Sequence, residues 1–465
     1  MNHPLLYEVH TRQWLAELGA RDLTAVRDDV LDALAALGVT HLWLMGVWPT
    51  GPRSREQART HEALRQAYGA ALPGWRDDDV HGSPYAIAEY RVAPELGGDA
   101  ALAAFRARLA RRGIGVILDF VPNHVALDHA WVHTDHVVAS ETGFPDSFHE
   151  GARYIAHGKD PYFPGWTDTA QLEYRRMATR SALRDVLAAI AERCDGVRCD
   201  MAMLVLPDVF ERTWRHVPCE EPAADFWGEA IRGVRRTHPG FVFLAEAYWG
   251  LEGRLCELGF DFAYDKELYD RVVHDKPDEV APHVYGLDAE NTRRAHFLEN
   301  HDEPRAGSLP LELHRAAALL VMALPGMRFL HHGQLDGARR FARIQLGRRA
   351  VEPIDTGVRE LYARLLPAIA ASSVGRGAAQ LLLPQRAWDD NPTAGYLTIV
   401  KWPRDLVVVN MAPHRAQCRV HVGEQGMWRL SDRLGDERWE RDLSQPLFLD
   451  LPARGAQLFE LQRMT

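Results

Sequence analysis

Short apolar runs alternate with longer amphipathic stretches along most of the chain. The runs Leu5–His10, His41–Val47, Gly115–Phe120, Gly196–Ala202, Phe241–Glu246, Phe260–Tyr264, Ala295–Glu299 and Met327–His331 predict strands. Many are apolar at nearly every position, as strands of a parallel sheet covered on both faces must be. Between them lie helical patterns such as Asp22–Leu37, Ala100–Arg111 and Ser181–Arg193. In the last, Leu183, Val186, Leu187 and Ile190 recur at three- and four-residue spacing. Eight strand–helix alternations within about 330 residues predict a (β/α)8 TIM barrel. A doubly wound open sheet competes less well, because no glycine-rich phosphate loop follows the first strand.

Two stretches break the alternation. Residues 125–174, after the third strand, read as loop-like and are rich in His, Asp, Gly, Pro and aromatics, including Pro161-Tyr162-Phe163-Pro164-Gly165-Trp166. An insertion at the C-terminal end of a barrel strand overhangs the active face. After about Val374, short strands separated by Pro, Gly and Asp turns (Tyr396–Lys401, Leu406–Asn410, Gln417–Val422, Ala456–Leu461) predict an all-β sandwich. The expected organisation is therefore a catalytic barrel over 1–124 and 175–373, an insertion over 125–174 and a β-domain over 374–465.

Composition narrows the function classes. The 465 residues are 46% hydrophobic and 25% charged, without repeats or low complexity, which excludes a disordered or fibrous protein. A net charge of −10 argues against a surface built for nucleic acid or anionic lipid. No run reaches the roughly 18 apolar residues of a membrane span. The N-terminal Met1-Asn2-His3-Pro4 lacks the basic and apolar segments of a secretory signal. The five scattered cysteines read as reduced thiols, and a cytoplasmic location is expected. Cys194 and Cys199 lack the spacing and the second pair of a zinc site. His331-His332 resembles a metal pair, but adjacent strand residues face opposite ways.

Catalytic groups in such a barrel sit at the C-terminal ends of strands. The third strand ends Leu118-Asp119-Phe120-Val121-Pro122-Asn123-His124, and the fourth reads Gly196-Val197-Arg198-Cys199-Asp200. The fifth ends Leu244-Ala245-Glu246-Ala247-Tyr248-Trp249, and the seventh Glu299-Asn300-His301-Asp302. Several acids aimed into one cleft suit acid/base and nucleophilic work on an uncharged acetal. Taken singly, an acid at a strand end is usually a turn or capping residue; their coincidence at strand ends is the signal. Trp166, Trp249 and Tyr248 are candidates to line the cleft, whereas Trp43, inside a strand, reads as core.

These segments, in this order, resemble the alpha-amylase family of retaining alpha-glucan hydrolases and transglycosylases. Gly82-Ser83-Pro84-Tyr85-Ala86-Ile87 adds a fifth matching segment. The resemblance implies Asp200 as nucleophile, Glu246 as acid/base and Asp302 as the acid binding sugar hydroxyls. It implies that Arg198 holds Asp200 ionised and aimed, and that Asp119 positions Arg198. His124 and His301 would hydrogen-bond the sugar ring, Tyr85 would stack on it, and Trp249 would line the cleft. Substrate and partner would be an alpha-glucan or malto-oligosaccharide, cleaved through a covalent glycosyl-enzyme intermediate.

Two departures qualify the match. Met203 and Leu204 stand where many family hydrolases carry Lys-His, so the leaving-group side is more apolar and hydrolysis versus transfer stays open. Asn123 matches a calcium ligand, but Gln171 stands where an aspartate is usual, and losing a carboxylate weakens a hard-cation site. No cofactor is therefore expected to be required. The rival readings are a glucosyl or glucan transferase, an inactive carbohydrate-binding barrel, and a metal-dependent hydrolase resting only on dispersed histidines.

Overall fold

Every residue of Leu5–His10 and of Met327–His331 is buried. Strands without a solvent face must be covered on both sides, and here they close upon each other. The computed structural model, which describes residues 3–289 and 292–464, contains a closed barrel of eight parallel strands. They are β1 (Leu5–His10), β2 (His41–Met45), β3 (Gly115–Phe120), β4 (Gly196–Cys199), β5 (Val242–Ala245), β6 (Phe262–Tyr264), β7 (Arg294–His296) and β8 (Met327–His331). Consecutive strands are neighbours, and β8 closes on β1 from Leu5↔Arg328 to Glu8↔His331. The N-terminal reading rests partly on Met1 and Asn2, which lie outside the described residues.

Five strands are shorter than their apolar runs suggest. β4 ends at Cys199 because Met201 turns into the left-handed region, at φ 42°. That turn frees Asp200 from the sheet and leads into the short 3-10 segment Ala202–Val205. β7 likewise stops at His296, and Phe297 and Leu298 continue the apolar run as buried irregular backbone. The pattern Asp22–Leu37 divides into a turn, Leu23–Ala25, capped by the Asp22 carboxylate, and a helix, Asp28–Ala36. Two helices after β2, Pro52–Thr60 and Glu62–Ala71, form a satellite with its own small apolar cluster around Tyr68 and Leu72.

The insertion is not wholly loop. His124–Ala126 pairs with Thr169–Gln171, and Ala139–Ser140, Arg153–Ala156 and Ser147–Glu150 form a three-stranded sheet. Strands of two to four residues are too short to show a period of two in sequence. At the other end, a six-stranded antiparallel sheet faces the two-stranded Ala416–Val420/Leu447–Leu451 ribbon. Leu397, Ile399, Leu406 and Val408 from the sheet share one apolar cluster with Cys418, Val420 and Leu449 from the ribbon. No described helix is long and apolar enough to cross a membrane, and the five cysteines are unpaired.

Candidate active site

Parallel register brings the acids together. Asp119 on β3 pairs with Arg198 on β4, which pairs with Leu244 on β5. Side chains two residues apart share a face, so Arg198 and Asp200 point the same way, as do Leu244 and Glu246. Backbone bonds carry the alignment past the strand ends: Asp200 N–H donates to Phe120 O at 2.9 Å, and Glu246 N–H to Cys199 O at 3.0 Å. The result is a cluster at the C-terminal end of the barrel.

Arg198 is its hub. Its Nη1 donates to Asp200 Oδ1 at 2.6 Å, and its Nη2 lies 2.8 Å from Glu246 Oε2, an ion contact without hydrogen-bond alignment. Its Nε donates to the Tyr264 hydroxyl at 3.2 Å. The rings of Trp43, Tyr85 and Tyr264 surround the guanidinium at 5.2, 5.1 and 5.8 Å. Asp119 Oδ1 stands 3.8 Å from Nη1, so Asp119 acts on Arg198 through charge and not through a hydrogen bond. Its other oxygen accepts from Gly46 N–H at 3.2 Å, and burial pushes its carboxyl up to about 7.

Protonation follows from these contacts. Burial raises the pKa of both Asp200 and Glu246, and Arg198 offsets part of each shift. The arginine alone therefore does not set the charge of Asp200, as the resemblance implied. Nearby Asp200 and Asp302 raise Glu246 further. Asp200 owns the aligned arginine bond, so a proton shared by this pair rests on Glu246. Glu246 Oε2 accepts from Met201 N–H at 2.7 Å, and Oε1 accepts from the Tyr248 hydroxyl at 2.7 Å.

The third acid is placed differently. The Asp302 side chain is 43% exposed, against 8% for Asp200 and 4% for Glu246, so it marks the mouth of the site. Asn300 Oδ1 accepts from the backbone N–H of Asp302 and Glu303 at 2.9 and 3.1 Å, which fixes the turn. Burial acts to raise the Asp302 pKa, but His301 and Arg198 outweigh it and hold the carboxylate ionised. His301 Nε2 lies 2.9 Å from Asp302 Oδ2 and 2.6 Å from the Tyr85 hydroxyl, and its Nδ1 meets Glu8 Oε1 at 2.5 Å. Burial alone would lower the His301 pKa; the two carboxylates override it and keep the imidazolium well above its usual range.

The remaining predicted residues border this cluster. His124 is buried against Trp166, with ring centroids 5.1 Å apart, and burial drives its pKa to about 3, so it is neutral. Trp249, at φ 65°, is 40% exposed and meets the insertion's Tyr162 edge-on at 5.0 Å. Met203 and Leu204 are buried and offer the site no polar group. His331 and His332 face opposite ways: His331 lies on Glu299, and His332 on Glu17 and Tyr7.

The donor set does not fit calcium. Gln171 Nε2 donates to the backbone oxygen of Asn123 at 2.8 Å and to its Oδ1 at 3.0 Å, so an amide N–H holds the oxygens a cation would take. Among the described residues, no group of three or more His, Cys, Asp or Glu could hold a metal ion.

Sequence reasoning missed Glu8, Tyr264 and the bond from Tyr248. Glu8 had a visible signal, an acid inside an otherwise apolar buried strand. Tyr264 had none, since a tyrosine at a strand end reads equally well as packing, and Tyr248, a cleft candidate, gave no sign of its bond to Glu246.

The clustered carboxylates stand at the C-terminal ends of the strands of a (β/α)8 barrel, the face on which barrel enzymes carry their active sites. Residues 19–161 match the family model for the alpha amylase catalytic domain. The alpha-amylase MalA of Haloarcula japonica is 26% identical over 348 residues, covering 72% of this chain and 44% of that protein. The trehalose synthase/amylase TreS of Mycobacterium tuberculosis is 24% identical over 339 residues, covering 65% of this chain and 51% of that protein. This chain thus spans about half the length of these curated relatives. A crystal structure of a noncanonic maltogenic alpha-amylase, AmyB from Thermotoga neapolitana, matches with a TM-score of 0.70 at 18% identity, covering 99% of each chain. The chain is thus similar, over its N-terminal part and across its fold, to proteins of the alpha-amylase family, among them an alpha-amylase and a trehalose synthase/amylase.

Proposed function

We propose that this enzyme cleaves alpha-glucosidic bonds of malto-oligosaccharides or glycogen- and starch-derived glucans by double displacement, with retention. The observation that supports this reading best is one guanidinium gripping two carboxylates: Arg198 meets Asp200 at 2.6 Å and Glu246 at 2.8 Å. Such a clamp suits the separation of about 5–5.5 Å that retaining enzymes use. In the first step an ionised Asp200 oxygen bonds to the anomeric carbon while Glu246 gives its proton to the departing glycosidic oxygen. In the second, Glu246 takes a proton from water, whose oxygen bonds to the same carbon and releases Asp200. Asp302, charged and at the mouth, holds adjacent hydroxyls as the ring flattens. The unpaired cysteines suit work in the cytoplasm.

Transfer is the second reading, with a sugar hydroxyl replacing water. The buried Met203 and Leu204 favour it, because they leave that side of the site without a polar group to order water. Product analysis on maltotriose with and without added glucose tests both. Constant release of reducing sugar marks hydrolysis, and suppression by acceptor with longer products marks transfer. Turnover surviving in Glu246→Gln removes the assigned acid/base and the proposal with it.

A further inference from the structure

The opposite pole of the barrel holds a second polar site. The starts of β1, β2, β3 and β8 converge there on a cavity of about 490 Å³. Two arginines line it, Arg328 at the start of β8 and Arg376 just beyond the helix Thr356–Ala371, and no acidic residue does. In a chain of net charge −10 this is a local excess of positive charge.

Arg328 is the unusual member. It is 9% exposed, yet no ion pair to it occurs among the described residues. Its Nη2 donates to the His3 carbonyl at 2.8 Å, while its buried Nε has no hydrogen-bond partner. His3 cannot balance the charge, because its Nδ1 accepts from Gly326 N–H at 2.8 Å, and burial lowers its pKa. Arg376 donates to the carbonyls of Ala370 and Ser372 and likewise has no carboxylate partner among the described residues. Gly375 packs closely against the Arg328 guanidinium: a Cβ there would stand 3.0–3.1 Å from its carbon and nitrogens, and φ is +77°. Burial and the charge of Arg376 push the Arg328 pKa down to about 10, a sign of two uncompensated cations close together.

We propose that this cavity is an anion-binding site that takes the phosphoryl group of a small phosphorylated molecule. Guanidinium groups match phosphoryl oxygens in geometry and charge. The cavity is large for a bare ion and falls in the usual size range of small-molecule sites. Its apolar wall, including Leu37, Met322 and Ile369, suits an organic body beside the phosphoryl group. The site is distinct from the acid cluster, which lies at the other ends of the same strands.

The test is calorimetric titration of the full chain with inorganic phosphate and with glucose 6-phosphate at low ionic strength. Saturable binding is expected, weakened roughly tenfold or more in Arg376→Gln and lost in Arg328→Met. Preference for the sugar phosphate identifies a phosphorylated metabolite as occupant; preference for phosphate identifies the free ion. Arg376 is exposed, so its variant remains informative if Arg328→Met does not fold. Undiminished binding in folded Arg376→Gln, or no binding of either probe to the wild type, overturns the proposal.

Discussion

Glu8 Oε1 lies 2.5 Å from Nδ1 of His301, although 293 residues separate the two in the chain. Glu8 has no exposed surface, and its second oxygen has no hydrogen-bond partner. A buried carboxylate left so bare needs a cation beside it. Glu8 thereby keeps His301 charged, and charged His301 keeps Asp302 ionised at the mouth of the site. Glu8→Gln preserves shape and removes the charge, so the His301 pKa should fall toward its ordinary value, read from imidazole nitrogen shifts in an NMR titration. Folding raises this pKa, so the pair's contribution to stability is full below the unfolded value of about 6.5 and fades as pH rises through the folded value. The variant should also lose kcat/KM, as the proposed sugar-binding role of Asp302 requires. An unmoved His301 titration contradicts the linkage.

The proton shared between Asp200 and Glu246 makes a prediction about pH. The proposed first step needs Asp200 ionised and Glu246 protonated. Burial raises both, and the like charges of Asp200 and Asp302 raise Glu246 further. Both limbs of the kcat/KM profile should therefore lie above the ordinary carboxylate range of about 3.9–4.3, with the alkaline limb belonging mainly to Glu246. Asp302→Asn removes one of the charges acting on Glu246 and should draw the alkaline limb down. An alkaline limb that stays in place in Asp302→Asn argues against this coupling.

Arg198→Lys should be far from conservative. A lysine offers one point charge where the guanidinium serves Asp200, Glu246 and the Tyr264 hydroxyl together. Removing a partner from a buried charge cluster costs about 3–5 kcal/mol, so the melting temperature should fall by several degrees. Activity should drop by roughly a hundredfold or more, since misaligned carboxylates lose positioning. A variant with wild-type melting and turnover refutes the clamp.

The barrel was legible because burial on both faces leaves near-continuous apolar runs, which is why β1, β3 and β8 match their predicted bounds residue for residue. The candidate acids were legible because they stand near or just beyond the ends of such runs. What sequence could not show was contact across the barrel. Nothing local in Leu5-Leu6-Tyr7-Glu8 points to His301, and nothing in the buried Arg328 reveals a cavity beside it. Run ends also misled: Phe297 and Leu298 continue an apolar run but lie beyond β7, because core burial does not require strand geometry.

Gln171 supplies a last prediction, about calcium. Its amide N–H groups occupy both oxygens of Asn123, and its own Oε1 is buried without a hydrogen-bond partner. A hard cation needs oxygens facing inward and favours carboxylates among them. Here the segment presents donors where lone pairs are required, and Gln171 ties Asn123 down by hydrogen bonding. Treatment with a chelator should leave the melting temperature and turnover unchanged, measured by scanning calorimetry and product release. Gln171→Asp removes the donors and adds a charge beside Asn123. That variant should melt lower in chelator and regain stability as calcium is added, by RT ln(1 + [Ca]/Kd). A wild-type enzyme that loses stability on chelation would show that Asn123 binds the ion despite its neighbour.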